Sequence, residues 1–191
     1  DTALDSVQSG GNYNVAIGHA SLTANTTGDT NSALGRESLL SNTTGSSNTA
    51  VGYTALLNNT TASNNTAVGY QAGYSNTTGV NNTLIGAVAG GALVSNTTGT
   101  RNAAFGGGAA SSTTTGNYNT ALGTLALKSN TTASNNTAVG YQALYANTTG
   151  SALTAVGTAA LDANTTGIDN TAVGVSSLGG NTTGNYNVAV G

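Results

Sequence analysis

Cysteine, proline, methionine and tryptophan are all absent from this 191-residue chain, which carries only three Lys+Arg and six Asp+Glu residues. Each gap closes off a class of explanation. Without cysteine there are no disulfides, no thiol chemistry and no cysteine-ligated metal. The three cations, Arg36, Arg101 and Lys128, are scattered over distant segments. They cannot build the phosphate-neutralising stripe that a nucleic acid requires, so no nucleic-acid partner is expected. The longest apolar stretch, near residues 87–94, is interrupted by glycines. It falls far short of the roughly 20 residues of a bilayer-crossing helix, so no membrane span is expected. One phenylalanine and eight tyrosines are too few for a conventional globular core. Gly, Asn, Thr, Ser and Ala dominate what remains, a composition shared by disordered segments and by repeat proteins.

Phase separates the two. A glycine closing an AVG-like triplet recurs at Gly18, Gly35, Gly52, Gly69, Gly86, Gly106, Gly123, Gly140, Gly157, Gly174 and Gly191. The spacing is 17 residues throughout, except for 20 from Gly86 to Gly106. Disordered sequence does not hold such a register. The expected fold is all-β, a single parallel β-solenoid over residues 1–191 with about eleven coils, one of them irregular with an insertion near 87–95. A large apolar residue precedes every marker glycine, from Ile17 and Leu34 to Val190, and leucine recurs four residues after it at Leu22, Leu39, Leu56, Leu127, Leu144, Leu161 and Leu178. Both columns are expected to point inward. NTAVG and xxAL read as two short alternating strands per coil. Helix is excluded, because large apolar residues five and then twelve apart form no 3.6-residue stripe. A core so thin draws its stability from the number of coils, which at the strand spacing would make a rod about 50 Å long.

Two asparagine columns run with the same phase. One lies four residues before the marker: Asn14, Asn31, Asn48, Asn65, Asn82, Asn102, Asn119, Asn136, Asn170 and Asn187, with Leu153 as the exception. The other lies seven after it: Asn25, Asn42, Asn59, Asn76, Asn96, Asn130, Asn147, Asn164 and Asn181, with Thr113 as the exception. Both fit stacked amide ladders, in which each side chain bonds to its copy one coil away. The second column opens NTT corners and is therefore also a row of formal N-glycosylation acceptors, joined by Asn58, Asn64, Asn81 and Asn135. The Gly or Ala that ends each NTTG corner is expected at a bend of positive φ.

Candidate chemistry is sparse. His19 is the single histidine, in a column held elsewhere by Tyr53, Tyr70 and Tyr141, and with Ser21 and Asp29 it makes no recognisable catalytic triad. The carboxylates Asp29 and Glu37, and Asp162 and Asp169, are isolated pairs rather than a glycosidase-like cluster. No aspartate recurs at a fixed phase, as calcium-binding solenoids require. No catalytic residue, metal or cofactor is expected, and the chain is not expected to be an enzyme. Tyrosines fall into columns that either shield strand edges or offer a carbohydrate-binding stripe. Threonines form one column from Thr49 to Thr171, interrupted by Ala103, and another at the NTT corners. Such ladders make an ice-binding solenoid a lesser alternative.

The segments NYNVAIG (12–18) and NYNVAVG (185–191), with the NTAVG repeats between them, resemble the head repeats of trimeric autotransporter adhesins. The NTAVGYQAL and NTTG arrays also look like those of phage tail fibres. The resemblance implies a left-handed parallel β-roll, an extracellular, cell-surface or virion-surface location, and a homotrimer whose small-residue faces meet on a threefold axis. A structural subunit of an extracellular filament is the first functional expectation. An adhesin head or tail-fibre segment binding a carbohydrate or other surface ligand is the alternative. Beginning at Asp1 without an initiator methionine, the chain is expected to be a processed, secreted form. Reading Gly191 into Asp1-Thr2-Ala3-Leu4 reproduces the run Gly52-Tyr53-Thr54-Ala55-Leu56 after its first side chain. Head-to-tail stacking of the chain on itself is therefore expected, against the alternative of a segment cut from a longer array. The candidate assembly residues are Asp1, Leu4, Val88, Leu93, Val94, Val190 and Gly191; the insertion around 87–95 is either a lateral interface or a tolerated corner loop.

Overall fold

A computed structural model describes residues 11–86 and 92–191. Each coil contributes one three-residue strand: β1 (Val15–Ile17), β2 (Ser32–Leu34), β3 (Thr49–Val51), β4 (Thr66–Val68), β5 (Thr83–Ile85), β6 (Ala103–Phe105), β7 (Thr120–Leu122), β8 (Thr137–Val139), β9 (Thr154–Val156), β10 (Thr171–Val173) and β11 (Val188–Val190). They form one eleven-stranded parallel sheet in chain order, and no helix is present among the described residues. The register is fixed by the repeat. Thr49, Ala50 and Val51 face Thr66, Ala67 and Val68, and the same columns meet even across the longer coil, where Ile85 faces Phe105. The expected parallel β-solenoid of about eleven coils is the observed fold.

Which side chains point inward differs from expectation. The strand alternation is present with the opposite phase: Ala33, Ala50, Ala67, Ala104, Ala121, Ala138, Ala155 and Ala172 are buried, whereas the large residue before each marker glycine faces out. Leu34 and Leu122 are each 48% exposed and Ile17 is 58% exposed. Neighbouring residues of a pleated strand point to opposite faces, so the alanine and the valine cannot both enter the core. The alanine enters because the leucine of the same coil already fills the interior. Leu22, Leu39, Leu56, Leu93, Leu127, Leu144 and Leu161 are all fully buried. One coil proves the rule by exchange. Gly73 stands where leucine is expected and Leu84 where alanine is, and a Cβ on Gly73 would lie 2.7 Å from Leu84 Cδ1.

The expected second strand is absent. Residues 19–24 and their equivalents are turns, and Ala55 and Leu56 are buried side by side, which a pleated strand forbids. Left-handed backbone makes this possible: Thr54 and Leu56 have φ of 52° and 51°, and equivalent residues repeat the pattern coil after coil. A leucine in that region is uncommon and costs on the order of 1–2 kcal/mol. The strain is held by coil-to-coil hydrogen bonds on both sides. Thr54 N–H donates to the Arg36 carbonyl of the coil before at 3.0 Å, and Leu56 N–H donates to the Ala72 carbonyl of the coil after at 3.0 Å.

Glycine is required at the marker position by both conformation and space. Gly140 has φ of 134°, and a Cβ there would meet the Gly157 carbonyl carbon at 2.6 Å. The glycine ending NTTG is a different case, and the expectation of positive φ there is wrong. Gly28, Gly45 and Gly150 lie outside the left-handed region. A Cβ on Gly28 would instead crowd the Gly45 carbonyl and come within 2.5 Å of Asn25 Oδ1. Close coil approach sets this preference, and Ala62 and Ala133 show that a methyl is accommodated.

Candidate interaction surfaces

Both asparagine columns line the interior as amide ladders. Asn42 Nδ2 donates to Asn25 Oδ1 at 2.9 Å and to the Gly45 carbonyl at 2.9 Å. In the other column Asn48 Nδ2 donates to Asn31 Oδ1 at 3.1 Å, while Asn31 Oδ1 also accepts from the Asn48 backbone N–H at 3.0 Å. The columns converge, because Asn31 Nδ2 reaches the same Gly45 carbonyl at 2.8 Å. One line of corner carbonyls thus clips the two ladders together, and nearly all of the buried amides are paired within the stack, Asn96 Oδ1 being an exception. From Asn25 to Asn164 the corner asparagines are fully buried; Asn181 is part-buried. Among the N-x-T matches, Asn64, Asn81 and Asn135 are the exposed ones.

The first threonine of the NTT corners up to Thr165 has a structural partner that the repeat pattern alone does not reveal. Thr43 Oγ1 donates to the Thr60 carbonyl at 3.1 Å, and the bond repeats from Thr26 to Thr165. The strand threonines from Thr49 to Thr171 lie on the outer face of the sheet beside the apolar column.

All three cations share a placement that the 17-residue period could have revealed. Arg36 lies 5.7 Å from the Tyr53 ring centroid, Arg101 lies 5.3 Å from that of Tyr118, and Lys128 lies 5.1 Å from that of Tyr145. Each cation sits one coil before a tyrosine in its own column. Tyr53 and Tyr70 continue the first column as a stack, with centroids 5.6 Å apart and planes 9° from parallel. Tyr53 is thus held between Arg36 and Tyr70, and a ring whose faces are so occupied is a poor sugar-stacking platform, which needs open faces.

The assembly residues expected from the sequence are dispersed. Asp1, Leu4 and Val88 lie outside the described residues. Leu93 is a fully buried core leucine and Val94 is half-buried, so neither forms an apolar bulge; the three extra residues of this coil fall between Gly86 and Ala92. Val190 is 79% exposed in the last strand, beside Gly191. The broadest apolar exposure is instead the outer sheet face, where Ile17, Leu34, Ile85, Leu122, Val156 and Val173 form one column. Among the described residues no group of three His, Asp or Glu side chains could hold a metal ion, and no helix is long and apolar enough to cross a membrane. Comparison with family models, curated proteins and solved structures gives no match to this chain.

Proposed function

We propose that the chain is a structural subunit of an extracellular filament or fibre shaft, non-enzymatic, whose coils stack on those of the next copy. The observation that carries this reading is the self-complementarity of the coil. Each presents the same donors and acceptors, in the same order, to the coil on either side. Thr49 N–H donates to Asn65 carbonyl at 2.8 Å, and Thr171 N–H donates to Asn187 carbonyl at the same distance. Such a surface fits its own copy in register, and a contact of that kind propagates rather than closes. Val188 holds the equivalent of Thr171 and its N–H has no partner within the described chain. Val188→Pro removes that donor without breaking an internal bond. Sedimentation of the unaltered protein should show concentration-dependent growth that Val188→Pro abolishes. Growth unaffected by the substitution would exclude stacking through this edge.

The outer sheet face favours a second reading, an adhesin head or tail-fibre segment in which several copies associate side by side, with a carbohydrate or other surface ligand as partner. An apolar column exposed along a whole sheet commonly marks an interaction surface. Replacing Leu34 and Leu122 by Ser would dissociate such an assembly while leaving stacked filaments intact.

A further inference from the structure

Every regular coil places a leucine and an asparagine inside, and the one coil that exchanges its leucine, with Gly73, restores the lost volume with Leu84. The coil from Gly106 to Gly123 has neither the leucine nor the corner asparagine. Its interior positions are Ala109, Ala110, Thr113, Asn119 and Ala121, so the leucine is missing with no larger residue opposite, while Asn119 keeps the other ladder, donating to Asn102 Oδ1 at 3.1 Å. Thr113 also breaks the corner ladder. Asn130 Nδ2 still donates to Thr113 Oγ1 at 3.2 Å, but Asn96 Oδ1, on the other side, is buried without a partner. Gly106, Gly107 and Gly108 open the same coil and lose the most backbone entropy on folding.

We propose that this coil is a built-in seam at which the solenoid parts into two cooperative blocks, the coils before Gly106 and the coils after Gly123. In a stack each coil touches only its neighbours, so no contact elsewhere bridges a weak one. The backbone ladder is continuous across the seam, with Ala110 N–H donating to Ala126 carbonyl at 2.9 Å and Ser112 N–H to Lys128 carbonyl at 3.1 Å. It therefore opens and recloses as a unit rather than standing disordered. Lost core packing and an orphaned buried acceptor are the two deficits that lower local opening energies. In the fibre reading, on which only this consequence rests, the seam is where a loaded rod yields first and leaves two folded blocks.

Hydrogen exchange on the dilute Val188→Pro chain tests the seam whether or not filaments form. The amides of Ala110 and Ser112 should exchange at least about tenfold faster than the equivalent amides of Leu144 and Ala146. Ala110→Leu combined with Thr113→Asn supplies both missing groups; leucine adopts the required backbone elsewhere, with φ of 54° at Leu127 against 50° at Ala110. This pair should slow exchange to within about threefold of the regular coils and raise the unfolding midpoint. Thr113→Asn alone should recover part of that change. Equal exchange in the two coils before substitution, or no slowing in either variant, would overturn the proposal.

Discussion

Leu144 and Leu122 belong to the two apolar columns that the sequence presents as equals. Only Leu144 is buried. Leu144→Ala should cost about 2–5 kcal/mol in denaturant unfolding of the monomer, because the tightly stacked coils cannot collapse into the space. Leu122→Ala should cost less than about 1 kcal/mol, since half of the side chain already meets solvent. Equal losses would show that both columns are core. Asparagine at the corner is the other sensitive residue. Asn59→Ala would strand Asn42 Oδ1, now bonded at 2.9 Å, at about 1–3 kcal/mol, and would leave Asn76 Nδ2 with only its bond to the Gly79 carbonyl at 3.0 Å. The same burial argues where glycans can sit. Mass spectrometry of the natively produced protein should find none on Asn42, Asn59 or Asn147, whose amides are fully buried; any N-linked sugar would be on the exposed Asn64, Asn81 or Asn135 or on the half-buried Asn58 or Asn181.

Between residue and rod stands the 17-residue coil, with two kinds of glycine that substitution separates. Gly140→Ala should cost more than about 2 kcal/mol, because it needs both positive φ and space that the next coil occupies. Gly150→Ala should cost less than about 1 kcal/mol, since Ala62 and Ala133 already hold that position. Comparable thermal shifts would contradict the distinction. The coil was partly legible in the sequence. Its length, its strand at TAV and its asparagine columns follow from the period alone, because a repeat displays its chemistry once per turn. The strand's phase did not follow, since Ala50 and Val51 are both apolar and only the width of the interior, already taken by Leu56, decides between them. By apolar content the segment 54–56 resembles a strand, but Ala55 and Leu56 are adjacent and a pleated strand cannot bury both, which is the signal for the turn. The cation and tyrosine pairs were visible as i, i+17 matches, whereas the seam at Ala110 needed the leucine and alanine positions to be recognised as one shared volume.

At the scale of the whole molecule, the coil supplies a wall of identical hydrogen bonds and an outer face with two columns, threonine and apolar. That face is uneven, with Leu34, Ile85, Phe105 and Val139 in one line, and the purified protein should show no thermal hysteresis; a measurable value would favour the ice-binding alternative. Side-by-side association and end-to-end stacking make different demands on it. The first covers the apolar column, whereas the second leaves it in water and uses only the coil edges. Electron cryomicroscopy of the assembled protein separates them most directly. Self-stacking gives a filament one chain thick, with an unbroken axial spacing of about 4.8 Å running through the subunit junctions. Discrete rods about 50 Å long with three chains in cross-section would contradict it.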